Sequence, residues 1–225
     1  MMHEHQRPAP DLRCYLVTDE DLCASAGRSV LDTVIRAVDG GATCVQLRAK
    51  TTDGGPFLDD VCDVARAVGT RVPVLVNDRV DVYLAAKALG VPVAGVHVGQ
   101  ADLPARIVRQ LIGDDAYLGL SVGTEDEARV AREEGAADHV GLSVLRTTST
   151  KTDTPEVLGY QGCQRLAEIV GMPSCAIGGV QVDDVAPLAR AGVNGVAVVS
   201  AICAADDPAA AAADFFNAWS MQQGD

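Results

Sequence analysis

The chain has 225 residues, of which 48% are hydrophobic, and its formal net charge at pH 7 is −13. This length fits one domain around a single core, and the acidic balance excludes general nucleic-acid binding, which needs a basic surface. No apolar run is long enough to cross a membrane, and the N-terminal segment MMHEHQRPAPD lacks the apolar centre of a signal peptide. We therefore expect a cytoplasmic protein that binds neither nucleic acid nor membrane.

Short apolar runs alternate with helical patterns along the chain. The runs predict eight strands, over residues 14–17, 44–47, 73–76, 95–98, 117–121, 139–142, 174–177 and 195–199. The helical patterns predict eight helices, over residues 29–38, 57–68, 80–89, 103–111, 125–134, 161–170, 182–191 and 208–221. Eight alternating pairs predict an α/β fold, a (β/α)8 TIM barrel in one domain over residues 13–225, after a polar tail over residues 1–12. A doubly wound sheet is the alternative.

The cysteines and the ends of the predicted helices allow further predictions about local structure. The seven cysteines are an odd number without a Cys-x-x-Cys pair, which predicts buried free thiols in a reducing compartment. Thr124 and Glu127 have the spacing of a capping box. Gly135 and Gly171 follow predicted helices at positions typical of left-handed C-caps.

Two of the apolar runs lead into an aspartate. The run over residues 72–76 continues to Asp78, and the run over residues 94–98 continues to Asp102. Ligands of parallel barrels and sheets bind outside the carboxyl ends of the strands, where two carboxylates can share one hard cation such as Mg²⁺. The alternative is that each aspartate caps the helix that follows it.

Basic side chains follow the second predicted strand. Arg48 can hold a phosphate through two parallel hydrogen bonds, and Lys50 can act on it as a point charge. Exposed surface positions are the alternative for both. A polar loop over residues 147–152, which contains Lys151, is either phosphate-binding or simply solvated.

The last two predicted strands end in Gly178-Gly179 and Val199-Ser200. The loops after these strands commonly bind phosphate in (β/α)8 barrels, because glycines let backbone N–H groups approach an anion. A tight turn is the alternative for the two glycines. His97 is a further candidate to donate to a phosphate or a carboxylate, although a lone histidine on an apolar strand is more often an interior residue.

These strand ends together predict two anion-binding sites at one barrel mouth. The Gly179 and Ser200 corner suits a monophosphate, and the basic residues with a metal on the two aspartates suit a diphosphate. Positive charge there would stabilise a departing diphosphate. No Cys-His or Ser-His-Asp arrangement and no obvious general base is present, which fits a nucleophile that needs no deprotonation.

A series of segments across nearly the whole chain then becomes recognisable. They are Tyr15-Leu-Val-Thr-Asp19, Gln46-Leu-Arg-Ala-Lys50, Asn77-Asp-Arg-Val-Asp81, Gly95-Val-His-Val-Gly-Gln-Ala-Asp102, Thr148-Ser-Thr-Lys151, Ala176-Ile-Gly-Gly179 and Gly195-Val-Ala-Val-Val-Ser-Ala-Ile202. The chain resembles the thiamine-phosphate synthase (thiamine-phosphate pyrophosphorylase) family.

The resemblance implies an enzyme that joins 4-amino-2-methyl-5-hydroxymethylpyrimidine diphosphate to a hydroxyethylthiazole phosphate. The products are thiamine phosphate and pyrophosphate, and one Mg²⁺ per site is required. In the mechanism that it implies, pyrophosphate leaves, a pyrimidine methyl cation forms, and the thiazole nitrogen captures the cation. The implied partners are these small molecules, and the sequence leaves open whether the chain forms a homo-oligomer.

The resemblance also implies roles for individual residues. The metal ligands are Asp78 and Asp102. The positions that contact the pyrimidine diphosphate are Gln46, Arg48, Lys50, Asn77, Ser121 and Lys151, with His97 as a further candidate. The positions at the thiazole phosphate are Thr148, Thr150, Gly179, Val199 and Ser200. The residues expected to act in catalysis are Arg48, Lys50, Lys151 and Ser121.

One segment departs from the family pattern. The family usually has Gly-Pro where this chain has Ser143-Val144, and often an aromatic residue where it has Arg146. The charge of Arg146 either aids or obstructs substrate. The Thr-Ser-Thr-Lys segment that follows is retained.

Two other functions are alternatives. A related thiazole tautomerase would bind a similar thiazole phosphate without losing pyrophosphate, and it would not need both aspartates and the basic strand end. A non-catalytic sensor of phosphate ligands would bind both substrates without turnover, but nothing in the chain indicates an effector surface.

Overall fold

Eight short parallel strands, hydrogen-bonded in chain order, close into a barrel in the computed structural model, which describes residues 8–147 and 157–222. The strands are β1 Tyr15–Val17, β2 Cys44–Leu47, β3 Val74–Asn77, β4 Gly95–Val98, β5 Tyr117–Val122, β6 His139–Ser143, β7 Ser174–Ile177 and β8 Gly195–Val198. β1 pairs with β8 and closes the ring. The predicted (β/α)8 barrel is confirmed, and a closed ring excludes the doubly wound sheet.

Helices follow the strands and cover the outside of the barrel. They are α1 Glu20–Ser25, α2 Val30–Asp39, α3 Gly54–Val68, α4 Val80–Ala88, α5 Ala105–Ile112, α6 Glu125–Glu134, α7 Gly159–Val170, α8 Val185–Arg190, α9 Ser200–Cys203 and α10 Pro208–Ser220. The sequence did not predict the short helices α1 and α9. The helix predicted over 182–191 divides into a 3₁₀ turn, Val182–Asp184, and α8.

Strand side chains point alternately into the barrel and towards the helices. Tyr15 and Leu75 face inward and belong to a small interior cluster. Leu16 and Val76 face outward and pack in the larger core beneath the helices. Since both faces are buried, the strands are short Val-rich runs rather than polar–apolar alternations.

Residues 8–12, which the sequence assigned to the tail, lie against the barrel. Leu12 is 2% exposed and packs in the interior cluster, and its carbonyl accepts a hydrogen bond from the Val196 N–H at 3.1 Å. A β-carbon on Gly195 would lie 1.7 Å from that carbonyl oxygen, so only glycine permits this approach. The barrel therefore includes residues before position 13, because apolar Leu12 is buried by covering the amino-terminal end of the strands.

The local predictions at helix ends are confirmed. The Glu127 N–H donates to Thr124 Oγ1 at 3.2 Å, and Glu127 Oε2 accepts from the Thr124 N–H at the same distance. Gly135 and Gly171 end α6 and α7 with φ of 58° and 59°. All seven cysteines are free and buried, as predicted. In the described ranges, no helix combines the length and apolar character needed to cross a bilayer.

A buried ion pair holds the amino-terminal ends of β5 and β6 together. Arg109 Nη2 lies 2.7 Å from Asp138 Oδ2, and the two side chains are 11% and 6% exposed. Asp138 also accepts from the Leu118 N–H at 2.7 Å. Arg109 donates further hydrogen bonds to the carbonyls of Gly113, Ala116 and Ala136.

The Arg109→Met variant is expected to lose about 3 kcal/mol of unfolding free energy, because it leaves a buried carboxylate without its counter-charge. Urea denaturation measures the loss. Arg36→Met is the matched control, since Arg36 pairs with Asp32 on the exposed surface of α2 and such pairs contribute under about 1 kcal/mol. Equal losses in the two variants would contradict the structural role of Arg109.

Candidate active site

A cavity of about 200 Å³ opens at the carboxyl ends of the strands, and all eight strands or their following loops contribute to its wall. It brings together most of the residues that the sequence singled out. These are Gln46, Arg48, Asn77, Asp78, His97, Asp102, Ser121, Gly179, Val199 and Ser200. This is the end of a (β/α)8 barrel at which active sites lie.

Asp78 and Asp102 both line the β3 and β4 side of the cavity and are close enough for Asp102 to affect the titration of Asp78. Partial burial, and then the negative charge and hydrogen bond of Asp102, raise the pKa of Asp78 to about 6, against smaller opposing effects of Asn77 and Arg48. Two adjacent carboxylates of this kind suit a hard cation. No group of three or more His, Cys, Asp or Glu side chains in residues 8–147 and 157–222 is arranged to hold a metal ion, so this pair would leave most coordination positions to water or substrate.

Neither aspartate caps the helix that follows it. The N-cap residues of α4 and α5 are Arg79 and Pro104, and neither helix has a side-chain cap hydrogen bond. Asp78 has a φ of 58°, and Asp102 Oδ2 accepts from the Gly99 N–H at 2.8 Å inside its own loop. The capping interpretation is therefore wrong, and both carboxylates are presented to the cavity.

The basic residues after β2 are arranged around Asp19. Asp19 Oδ2 lies 3.8 Å from Arg48 Nη1 and 4.0 Å from Lys50 Nζ, while its Oδ1 accepts from the Leu22 N–H at the start of α1. Arg48 lines the cavity, whereas Lys50, which lies beside Asp19, is not one of the residues that form the cavity wall. Contacts of 3.8–4.0 Å orient these cations without forming the short paired hydrogen bonds of a closed ion pair.

Polar side chains form the floor of the cavity. Gln46 Nε2 donates to the Tyr15 hydroxyl at 2.8 Å, and His97 Nε2 lies 3.0 Å from Ser121 Oγ. Burial raises the pKa of Tyr15 well above its usual range, so its side chain is a neutral phenol. A β-carbon on Gly119 would lie 2.2 Å from His97 Nδ1, so glycine at this position makes room for the imidazole.

The β7 and β8 loops form the opposite corner of the cavity. Gly178 and Gly179 have φ of 102° and 66°, a backbone region that favours glycine. β-Carbons on them would lie 2.7 Å from Val144 Cβ and 2.7 Å from Arg146 Cγ, respectively. Ser200 begins α9 beside this turn. This corner of the cavity therefore combines the backbone of two glycines with the Ser200 side chain and the apolar residues Val180 and Val199.

Arg146 is directed at a carboxylate, not at the cavity. Its Nη1 and Nη2 donate to Asp184 Oδ2 and Oδ1 at 2.6 and 2.7 Å. Its charge therefore neither aids nor obstructs substrate directly. The Ser143–Val144 peptide bond, at the positions where the family usually has Gly-Pro, is cis. Thr148, Thr150 and Lys151 lie outside the described residues.

Comparison with known proteins shows the family to which the chain belongs. The family model described as thiamine monophosphate synthase matches residues 14–202. The chain belongs to the thiamine monophosphate synthase family. A thiamine-phosphate synthase of Psychrobacter sp. (strain PRwf-1) is 39% identical over 213 residues, which are 94% of this chain and 97% of that protein. A thiamine-phosphate synthase of Corynebacterium efficiens is 42% identical over 203 residues, 90% of this chain and 92% of that protein.

The fold of this chain also matches a solved structure. A thiamine phosphate pyrophosphorylase from Pyrococcus furiosus superimposes with a TM-score of 0.83 at 29% sequence identity, covering 96% of this chain and 98% of that chain. The predicted resemblance is therefore confirmed, and so is the prediction that the chain is an enzyme of the thiamine-phosphate synthase type.

Some residues around the site carried no prediction. Asp19 and Tyr15 belong to the Tyr15–Asp19 segment of the family resemblance but had no assigned role. Gln100 Nε2 donates to the Ser121 carbonyl at 2.6 Å and ties the β4 loop to β5. In the sequence, these residues were marked only by their position in segments shared with the family. Their contacts join residues that are distant in sequence, so local spacing does not predict them.

Proposed function

We propose that this member of the family condenses 4-amino-2-methyl-5-hydroxymethylpyrimidine diphosphate with a hydroxyethylthiazole phosphate, giving thiamine phosphate and pyrophosphate. One observation supports the proposal: basic and acidic side chains line one side of a single cavity, and a glycine turn lines another side. The carboxylates follow β3 and β4, and the glycine turn follows β7. Strands three and seven are opposite each other in a closed ring of eight, so the two phosphoryl groups would bind across the cavity from each other.

The proposed diphosphate corner consists of Arg48, Lys50, Asp78 and Asp102. The chemistry of the donor set supports one Mg²⁺ held by the two aspartates, because both offer oxygen ligands and they adjoin each other. Partial burial, and then the negative charge of Asp102, raise the pKa of Asp78. When bound, Mg²⁺ supplies positive charge next to the diphosphate oxygens. Arg48 and Lys50 add their own charge there, and Asp19 lies within 4.0 Å of both side chains and orients them.

The proposed pyrimidine contacts are the floor residues. Gln46 is held by the Tyr15 phenol, and the Ser121 hydroxyl is held by His97, so these polar groups are oriented before substrate binds. Asn77 lies at the end of β3 beside Asp78 and completes this side of the wall.

The proposed reaction breaks the bond between the pyrimidine methylene carbon and the bridging diphosphate oxygen, and its electron pair leaves with pyrophosphate. The thiazole nitrogen then donates its lone pair to the methylene carbon and forms the new C–N bond. No proton is removed from the nucleophile, so the reaction needs no general base. The residues therefore act by positioning and by stabilising charge on the leaving group.

The proposed thiazole-phosphate corner consists of Gly179, Val199 and Ser200. The backbone of the glycine turn and the Ser200 hydroxyl suit a phosphate monoester, because small residues allow close approach of N–H groups. The family resemblance adds Thr148 and Thr150 to this corner and Lys151 to the diphosphate corner. A tautomerase acting on a thiazole phosphate would leave the aspartate pair and the basic residues without a role.

Incubation of the purified chain with both substrates and Mg²⁺ tests the proposal. We expect equal amounts of thiamine phosphate and pyrophosphate, separated by chromatography. Neither product should form when one substrate is omitted. Tight binding of both substrates without product would contradict synthase activity and support the sensor alternative.

The Ser200→Ala variant is expected to raise the KM for the thiazole phosphate about tenfold, because one hydrogen bond to the phosphate is lost. The KM for the pyrimidine diphosphate should change less than about twofold. Steady-state kinetics with each substrate varied in turn measures both values. The control is Ser220→Ala on α10, where the hydroxyl bonds only within its own helix, to the Phe216 carbonyl. A selective defect for the pyrimidine diphosphate would contradict the assignment.

A further inference from the structure

A buried carboxylate lies directly behind the glycine turn, outside the cavity wall. Asp184 is 3% exposed and ends the 3₁₀ turn after β7. It accepts hydrogen bonds from both terminal nitrogens of Arg146, from the Tyr160 hydroxyl and from the Gln181 N–H. Burial alone would raise the pKa of Asp184, but these donors outweigh burial and lower it. Asp184 is therefore an ionised anchor with its donors fixed around it.

Arg146 connects this anchor to the glycine turn. Besides its two bonds to Asp184, Arg146 Nη1 donates to the Gly179 carbonyl at 2.7 Å. The backbone N–H of Arg146 donates to the Gly178 carbonyl at 3.2 Å. Its aliphatic stem also packs against Gly179, where a β-carbon would come within 2.7 Å of Arg146 Cγ. The first residues after β6 and the turn after β7 are thus held together by one side chain.

We propose that Arg146 is a positioning residue for phosphate binding at the Gly178–Gly179 turn, acting from behind the turn with Asp184 as its anchor. The peptide unit is planar, so a guanidinium bond to the Gly179 carbonyl fixes the direction of the Val180 N–H in the same unit. Val180 lines the cavity. The inference rests on the proposed function, because it takes the thiazole phosphate to be the ligand of this turn.

This role accounts for the departure of the chain from the family pattern at residue 146. A planar guanidinium can donate hydrogen bonds to a carboxylate and to a carbonyl at the same time, and an ammonium group cannot reproduce that geometry. An aromatic side chain offers neither charge nor several donors. In this chain, the charged side chain of Arg146 therefore supports the glycine turn through its hydrogen bonds.

Arg146→Met is expected to weaken binding of 4-methyl-5-hydroxyethylthiazole phosphate about tenfold, as Kd by calorimetry and as KM, since the turn loses its support. The kcat and the KM for the pyrimidine diphosphate should stay within about twofold. Arg146→Lys keeps the buried charge neutralised and should give an intermediate loss of about threefold. If the methionine variant does not fold, as judged by circular dichroism, the lysine variant carries the test.

Tyr160→Phe is the matched control, because it removes one hydrogen bond to Asp184 and leaves the Arg146 bond to Gly179 in place. It should change the Kd for the thiazole phosphate less than about twofold. A tenfold loss in Tyr160→Phe, or wild-type affinity in folded Arg146 variants, would overturn the inference. A third outcome separates the two proposals. If the Arg146 variants bind the thiazole phosphate more weakly but the wild-type chain makes no thiamine phosphate, the inference is supported and the proposed synthase activity is overturned.

Discussion

Replacing Asp78 by asparagine is expected to lower kcat about a thousandfold, because about 4 kcal/mol of charge stabilisation at the leaving diphosphate is lost. Asp78 and Asp102 are the two carboxylates of the proposed Mg²⁺ site, so Asp102→Asn should have an effect of similar size. In both variants the Mg²⁺ concentration for half-maximal activity should also rise, since an amide oxygen is neutral and binds the cation less strongly. Titration of activity against Mg²⁺ measures both changes.

The same substitution should leave the fold intact. Asp78 is repelled by Asp102 in the cavity, so removing one charge relieves repulsion, and thermal unfolding should occur at an unchanged or higher temperature. Asp63→Asn is the control: Asp63 is an exposed carboxylate on α3, 3.7 Å from Arg66. Its activity should match the wild type. Near-normal rates of Asp78→Asn in the presence of EDTA would contradict the metal site.

Replacing Arg48 by methionine is expected to lower kcat/KM for the pyrimidine diphosphate about a hundredfold, because charge-assisted hydrogen bonds to the leaving group are lost. Arg48 directly follows β2 and lines the cavity. The Arg48→Lys variant keeps the charge but not the bidentate geometry and should lose less activity. Steady-state kinetics with the pyrimidine diphosphate varied measures the loss.

The effect should be confined to one corner of the cavity. Affinity for the thiazole phosphate should be nearly unchanged in Arg48→Met, because the glycine turn lies across the barrel. Arg36→Met on α2 serves again as the exposed control. Equal weakening of both substrates by Arg48→Met would argue against separate corners.

The strand framework could be predicted because its signals are local. Each strand is a short buried run rich in Val, Leu or Ala. The strands β2, β4, β5, β6, β7 and β8 begin at the predicted residues, and β2, β4 and β7 also end at them. The helices α1 and α9 were missed because six and four residues are too few to show a helical period. The 3₁₀ turn before α8 depends on Asp184, which holds the Gln181 N–H and ties the turn to Arg146.

The chemical identity of the site was partly visible in the sequence, but its geometry was not. Asp78 and Asp102 were recognisable as strand-end carboxylates. Their alternative as helix caps was excluded only by the left-handed φ of Asp78 and by the positions of the actual N-caps. Contacts such as Arg146 with Asp184 join residues 38 apart in sequence. A single sequence does not show such pairs, because nothing in local spacing indicates them.

In the proposed function, one cavity holds a diphosphate and a monophosphate in separate corners. Calorimetric titration with pyrophosphate plus Mg²⁺ and with 4-methyl-5-hydroxyethylthiazole phosphate, singly and together, distinguishes separate corners from a single shared site. We expect one site for each ligand and simultaneous binding, with Asp78→Asn weakening only pyrophosphate and Ser200→Ala weakening only the thiazole phosphate. Competition between the two ligands for a single site would contradict the claim.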